Sequence, residues 1–176
     1  LNLSILLEQS AKRHPSQKAM TFMDTTLTYA QLNGAANQVA NGLMAKGIKK
    51  GDKVALSCFN LPYFPIIYFG ILKAGAAVVP LSVLLKDDEI QYHLTDSEAK
   101  AYFCFVGNVD LPMGKMGYAG FQNTPACEQF YMITPSPTDA SPIEGTATLG
   151  SLMAGQSPVF ESCQTSADDT AVHIYT

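Results

Sequence analysis

The run from residue 54 to residue 80, VALSCFNLPYFPIIYFGILKAGAAVVP, is the most informative part of the chain for its fold class. Residues 54–58 are largely apolar, which is typical of a strand buried on both faces of a parallel sheet. Asn60 is expected to cap the helix that follows, and Gly75 is expected to end it. Residues 77–80 form the next predicted strand. A strand, a helix and a second strand in this order indicate a right-handed crossover between parallel strands.

The same alternation continues downstream. Three acids at residues 87–89 open another predicted helix, because carboxylates favour the positive end of a helix dipole. That helix reaches about Asp96, and a strand is predicted at residues 100–106. Strands that alternate with helices predict an α/β fold with a largely parallel sheet flanked by helices.

Upstream, the sequence predicts a helix, a hairpin and a second helix. Residues 3–13 carry apolar side chains at helical spacing. Residues 18–23 and 26–28 are short strand candidates on either side of a turn. Thr28 and Gln31 have the spacing of a capping box, in which each side chain binds the backbone amide of the other residue. They are therefore interpreted as the start of a long helix.

Residues 107–170 have a different character, since six prolines and seven glycines interrupt them. We expect short helices and strands joined by loops, because a structureless loop of this length is rare inside a domain. Residues 148–154 are the best helix candidate. Residues 171–175 are apolar enough to predict a final buried strand.

Composition excludes several classes of protein. Of the 176 residues, 15% are charged and 47% apolar, with a net charge of −4. A charge content below the usual value of about 25% argues against a disordered chain. The chain has no cluster of basic residues, so nucleic-acid binding is not predicted. Residues 63–85 are long enough to span a bilayer, but Lys73 and two prolines interrupt them, so no membrane-spanning helix is predicted. Peripheral contact with a membrane stays open. Four cysteines without a CxxC pair favour free thiols and a cytoplasmic location.

No complete catalytic or metal-binding motif is visible. The sequence contains neither G-x-S-x-G nor G-x-x-x-x-G-K-[ST]. Gly114, Gly117 and Gly120 lack the G-x-G-x-x-G spacing and are interpreted as a flexible loop. The three histidines are far apart in sequence, and each is interpreted as structural: His14, His93 and His173. We therefore predict no catalytic residue and no metal ligand among these residues.

Four motifs point to a known family. Residues 27–32, LTYAQL, match L-T-Y-x-E-L with Gln31 in place of the glutamate. Residues 47–55, GIKKGDKVA, match G-(I/V)-x-x-G-D-x-V, and residues 72–81, LKAGAAVVPL, match L-K-A-G-x-x-x-x-P-L. Residues 89–100, EIQYHLTDSEAK, match E-(I/L)-x-x-x-L-x-D-(S/A)-x-A-K. In this order and at this spacing, the motifs resemble those of the adenylate-forming superfamily, which contains acyl-CoA synthetases and peptide-synthetase adenylation domains.

The resemblance covers residues 1–106 and implies the N-terminal subdomain of the adenylate-forming fold. It implies an enzyme that joins a carboxylate, such as a fatty acid, to AMP and then to CoA, using ATP and Mg²⁺. Residues 173–176, HIYT, resemble the strand and first residue of the family's phosphate-binding loop. Thr176 is thus the one residue expected to contact the nucleotide. Ser82 and Val83 replace the Asn-Pro of many acyl-CoA synthetases and leave the subfamily open.

Two functional hypotheses follow. In the first, the chain is the N-terminal fragment of an ATP-dependent acyl-CoA ligase of fatty-acid metabolism, inactive alone and with no cofactor bound. Its expected parts are regular βα units at 1–106, a loop-rich segment at 107–170, and a strand at 171–176 that leads to the phosphate loop. In the alternative, the chain is a stand-alone, non-enzymatic α/β binding module of the same fold. Oligomeric state, acyl-chain length and the acceptor thiol are not indicated by the sequence.

Overall fold

Six helices and seven strands follow one another in the computed structural model, which describes residues 1–176. The first half contains α1 (Ile5–Arg13), β1 (Lys18–Phe22), β2 (Thr25–Thr28), α2 (Tyr29–Ala45), β3 (Lys53–Ser57), α3 (Tyr63–Lys73) and β4 (Ala77–Pro80). The second half contains α4 (Asp87–Asp96), β5 (Ala99–Phe105), α5 (Met113–Gln122), β6 (Gln129–Ile133), β7 (Ala147–Thr148) and α6 (Leu149–Met153). The predicted elements before residue 107 are all present, with ends that match or differ by up to three residues.

Five parallel strands form the central sheet, in the order β4-β3-β5-β6-β7. β1 and β2 form a separate antiparallel hairpin. The predicted α/β fold with a parallel sheet flanked by helices is confirmed. Side chains alternate between the two faces along each strand, as strand geometry requires. In β3, for example, Val54 and Leu56 belong to one core cluster, and Ala55 belongs to the other.

Each face of the sheet is covered by its own set of helices. On one face, α2 packs against both α3 and α6, and buried residues of all three join one core cluster. On the other face, α4 and α5 pack against each other above the second cluster. No helix in the structure is both long enough and apolar enough to cross a membrane.

The predicted capping box begins α2 and is confirmed in detail. The backbone amide of Gln31 donates to Thr28 Oγ1 at 3.2 Å, and the amide of Thr28 donates to Gln31 Oε1 at 2.9 Å. The predicted cap of α3 is wrong. Pro62 occupies the N-cap position and no side chain caps the helix, so Asn60 lies outside it. A proline near a helix start leaves fewer free amides, because it has no N–H of its own.

The three spaced glycines belong to a helix, so their interpretation as a flexible loop is wrong. Gly114, Gly117 and Gly120 are buried on one face of α5. A Cβ atom placed on Gly117 would lie 2.5 Å from Cys104 Sγ in β5, and one on Gly120 would lie 2.7 Å from Ile90 in α4. The absence of side chains therefore allows α5 to approach β5 and α4 closely. This packing outweighs the low helix propensity of glycine.

Candidate functional site

The order of strands in the sheet reverses at β3. The chain passes from β3 outward to β4, and then crosses back beyond β3 to β5 and β6. The loops that follow β3 and β5 consequently lead to opposite faces, where α3 and α5 lie. Parallel α/β sheets bind ligands outside the carboxyl ends of the strands, where the order reverses in this way. The carboxyl ends of β3 and β5 are therefore where this fold favours a ligand site.

Side chains near this edge are mainly packed against one another. The ring of Phe59, just after β3, lies edge-on to the ring of Phe105, with 5.7 Å between centroids. The hydroxyl oxygens of Ser57 and Tyr102 lie 2.8 Å apart in the core. Burial raises the pKa of Cys58 to about 12, so its thiol stays protonated at neutral pH and is not a nucleophile. These residues shape the edge without providing reactive groups.

The end of the chain joins the sheet beside β4. The amide of Val78 donates to the carbonyl of Ala171 at 2.9 Å, and the amide of His173 donates to the carbonyl of Val78 at 2.8 Å. Val172 pairs with Val78 in the parallel direction, which points the chain toward the carboxyl edge of the sheet. The predicted strand at 171–175 is thus present only as this single bridge, and no strand pairing continues beyond it.

Tyr175 is held by one polar and two aromatic contacts. Its hydroxyl donates to Asp96 Oδ2 at the end of α4, at 2.7 Å. Its ring lies edge-on to His93, with 4.4 Å between centroids, and stacks on His173 at 5.0 Å. Burial, together with the hydrogen bond to the Asp96 carboxylate, raises the pKa of Tyr175 to about 12, so the phenol keeps its proton at neutral pH. We refer to Tyr175, His93, His173 and Asp96 as the tyrosine clamp.

The tyrosine clamp was not predicted from the sequence. Local spacing could have indicated two halves of it: His93 and Asp96 are three residues apart on one helix face. His173 and Tyr175 are two residues apart and point to one side of an extended chain. No spacing indicates that the two pairs meet, since this depends on the pairing of Val172 with β4.

Thr176, the residue predicted to contact a phosphate, directly follows the tyrosine clamp. Its side chain is exposed. Its role stays a prediction, because no ligand contact tests it. Among the other motif residues, Thr28 and Gln31 form the capping box of α2, so their structural interpretation is confirmed.

Lys73, in the family-like motif at residues 72–81, is buried in an ion pair. Only 1% of its side chain is exposed, and its Nζ donates to Glu8 Oε1 in α1 at 2.7 Å. Burial lowers the pKa of Lys73, although the hydrogen bond with Glu8 acts against this. Burial by itself raises the pKa of Glu8, but hydrogen bonds from Lys73 and Ser162 outweigh it, and the net pKa lies below 4.5. The pair joins α1, α3 and the segment around Ser162, which is a structural role.

Two surface depressions lie away from the carboxyl edge. One, of about 440 Å³, lies between α1 and residues 159–162 and 164. The other, of about 320 Å³, lies beside β6 and is lined by Tyr118 and Phe121 of α5. No three His, Cys, Asp or Glu side chains come together in a way that could hold a metal ion.

Comparison with protein-family models gives a match to the model described as AMP-binding enzyme, over residues 7–176. Among curated proteins, the chain is 40% identical over 94 residues to tyrocidine synthase 3 of Brevibacillus parabrevis. It is 39% identical over 101 residues to the long-chain-fatty-acid–CoA ligase FadD13 of Mycobacterium tuberculosis. These alignments cover 53% and 56% of the chain, but only 1% and 20% of the two relatives.

Solved structures resemble nearly the whole chain. The anthranilate CoA ligase AuaEII, in complex with anthranoyl-AMP, has a TM-score of 0.86 at 25% identity. That alignment covers 98% of this chain and 31% of the ligase chain. The N-terminal domain of FACL13 from Mycobacterium tuberculosis has a TM-score of 0.80 at 25% identity and covers 100% of this chain and 42% of that one. The chain therefore spans less than half the length of each of these proteins.

Proposed function

The chain belongs to the AMP-binding enzyme family, and on this premise we propose that it forms the N-terminal part of an ATP-dependent acyl-CoA ligase. In this reaction a carboxylate oxygen attacks the α-phosphorus of ATP, forming acyl-AMP as pyrophosphate leaves. The sulfur of CoA then attacks the acyl carbon, its thiol proton is lost, and AMP leaves. The family match over residues 7–176 is the observation that carries the proposal. A solved relative in complex with anthranoyl-AMP supports the adenylate as the intermediate.

Thr176 is the proposed nucleotide contact of this chain. The parallel pairing of residues 171–173 with β4 points the following residues toward the carboxyl edge of the sheet. There the Thr176 hydroxyl would donate to a phosphate oxygen and reduce the repulsion between the phosphate charges and the entering carboxylate. ATP is expected to bring Mg²⁺ with it, but the side chains here form no three-residue ligand set, so we assign the ion no ligand in this chain.

A fatty acid is the proposed carboxylate. The supporting observation is the 39% identity over 101 residues to the long-chain-fatty-acid–CoA ligase of Mycobacterium tuberculosis. The tyrocidine synthase matches over a slightly shorter length, and the AuaEII structure belongs to an anthranilate ligase. Amino acids and aryl acids are therefore the competing substrate classes in the experiment below.

The test is ATP–pyrophosphate exchange by the protein expressed from its complete coding sequence. We expect exchange with octanoate or palmitate to exceed exchange with anthranilate or an amino-acid mixture. A preference for either competitor would overturn the fatty-acid assignment. Absence of exchange with every carboxylate would overturn the ligase and favour a non-enzymatic binding module. Residues 1–176 alone are expected to give no exchange above a protein-free blank.

Variants of Thr176 test its proposed contact. Removing one hydrogen bond to a charged group costs about 1.5–3 kcal/mol, so Thr176→Val is expected to raise the KM for ATP roughly 10-fold or more. Thr176→Ser keeps the hydroxyl and is expected to stay within about threefold of the wild type. Thr170→Val is the matched control, because Thr170 is also exposed and lies just before the pairing with β4. Equal effects of the valine substitutions at both positions would refute the contact.

A further inference from the structure

The pairing with β4 does not explain how the end of the chain is held. The last backbone hydrogen bond of this pairing belongs to His173. Ile174 is 66% exposed and adds little packing. A segment with few buried contacts and no backbone pairing is expected to open easily. The contacts of Tyr175 are therefore what hold the residues beyond His173.

The tyrosine clamp has a defined geometry on the α4 side. His93 Nδ1 lies 2.7 Å from the carbonyl oxygen of Glu89. A carbonyl oxygen can only accept a hydrogen bond, so Nδ1 carries the proton and the plane of the ring is fixed. The Tyr175 ring meets that fixed ring edge-on, which is a favoured arrangement of aromatic rings. Its hydroxyl proton is directed to a carboxylate, which makes the hydrogen bond a charge-assisted one.

We propose that the tyrosine clamp is a positioning device, in which α4 holds Tyr175 so that the neighbouring Thr176 is directed at the phosphates of ATP. This inference rests on the proposed function and deepens it. Asp96 and His93 are positioning residues, since they would act through Tyr175 and touch no substrate. Their contribution is expected in ATP binding and not in binding of the carboxylate.

The kinetic test uses the complete protein and four substitutions. Asp96→Ala and Tyr175→Phe each remove the hydrogen bond and are expected to raise the KM for ATP roughly 10-fold, with the KM for the carboxylate within twofold. The double variant should be no more than about twofold worse than either single variant, because both remove the same interaction. Asp96→Asn should restore most of the binding, because the amide oxygen still accepts a hydrogen bond. Thr95→Ala is the control, since the Thr95 side chain hydrogen-bonds only within α4, to the carbonyl of Gln91.

A second measurement separates this inference from the proposed function. Hydrogen–deuterium exchange of residues 174–176 reports how the segment is held, whether or not the protein is a ligase. Asp96→Ala is expected to speed that exchange at least fivefold, while Thr95→Ala leaves it unchanged. The clamp is refuted if hydrogen–deuterium exchange of residues 174–176 is the same in Asp96→Ala as in Thr95→Ala. It is also refuted if the effects of Asp96→Ala and Tyr175→Phe on the KM for ATP add up in the double variant. If the wild type lacks ATP–pyrophosphate exchange, the proposed function fails, and with it the ATP-directed role of the clamp.

Discussion

Replacing Glu8 with alanine is expected to leave the ammonium group of Lys73 buried without its carboxylate partner. Lys73 is 1% exposed, so water cannot replace the lost hydrogen bond without movement of α1 or α3. Removing one partner of a buried ion pair typically costs about 3–5 kcal/mol of stability. The lysine can avoid part of this cost only by losing its proton.

Deprotonation sets an upper limit on the loss, and that limit depends on pH. The ordinary pKa of lysine is 10.5, and each pH unit below it costs about 1.36 kcal/mol. Neutralising Lys73 therefore costs about 5 kcal/mol at pH 7, but only about 0.7 kcal/mol at pH 10. We expect Glu8→Ala to lower the free energy of unfolding by about 3–5 kcal/mol at pH 7, with most of that loss absent at pH 10.

The matched substitution, Lys73→Met, is expected to be much milder. One third of the Glu8 side chain is exposed, so a carboxylate without its lysine partner can be hydrated. Methionine has a similar length and is apolar, so a loss below about 1.5 kcal/mol is expected. The low pKa of Glu8 stabilises the fold above pH 4.5, and that contribution is lost as the pH falls through the folded-state pKa. Lys73→Met should weaken this acid sensitivity.

Urea denaturation followed by far-UV circular dichroism at pH 7 and pH 10 measures these differences. The chain contains no tryptophan, so circular dichroism is the more direct signal. Unchanged m-values would show that the midpoints report stability alone. The reasoning is refuted if Lys73→Met costs as much as Glu8→Ala at pH 7, or if the Glu8→Ala loss is the same at both pH values.

Three further outcomes are expected. Gly117→Ala should lower the free energy of unfolding by about 1–2 kcal/mol, because its Cβ would overlap Cys104. Gly34→Ala should be neutral or stabilising by up to about 1 kcal/mol, since its Cβ makes only an ordinary contact. Equal effects of the two substitutions in thermal melts would contradict this. Thr28→Ala should cost about 1 kcal/mol by removing the cap of α2, with Thr28→Ser near wild type. Iodoacetamide at pH 8 should modify Cys163 alone in the native protein, because burial raises the pKa of each of the other three thiols to about 12. Mass spectrometry should show four modified cysteines in urea. More than one modified cysteine in the native protein would refute the burial argument.

The parallel sheet was predictable because its signals are local. The buried strands β3 and β4 are short apolar runs. Gly75 marks the end of α3, and the capping box marks the start of α2. The four family-like motifs added the order of the units. None of these features requires knowledge of which segments meet in space.

The errors concern residues whose role depends on distant contacts. The glycines of α5 were interpreted as a loop because they lack the spacing of a dinucleotide-binding motif. In the structure, their missing side chains let α5 approach Cys104 and Ile90 closely. Asn60 has the right chemistry for a cap, yet α3 starts three residues later, at Tyr63, with Pro62 in the N-cap position. The tyrosine clamp depends on a pairing between segments separated by nearly a hundred residues. Such contacts have no signal in local spacing.

The pairing of Val172 with Val78 also bears on the order in which the chain folds. The two residues are 94 positions apart, whereas the β1–β2 hairpin closes a turn of two residues. Closing a longer loop costs more chain entropy before any contact compensates for it, and rates fall as contacts become less local. The last residues are therefore expected to dock after the rest of the sheet has formed. Substitutions in residues 171–175 should speed unfolding and leave the folding rate nearly unchanged.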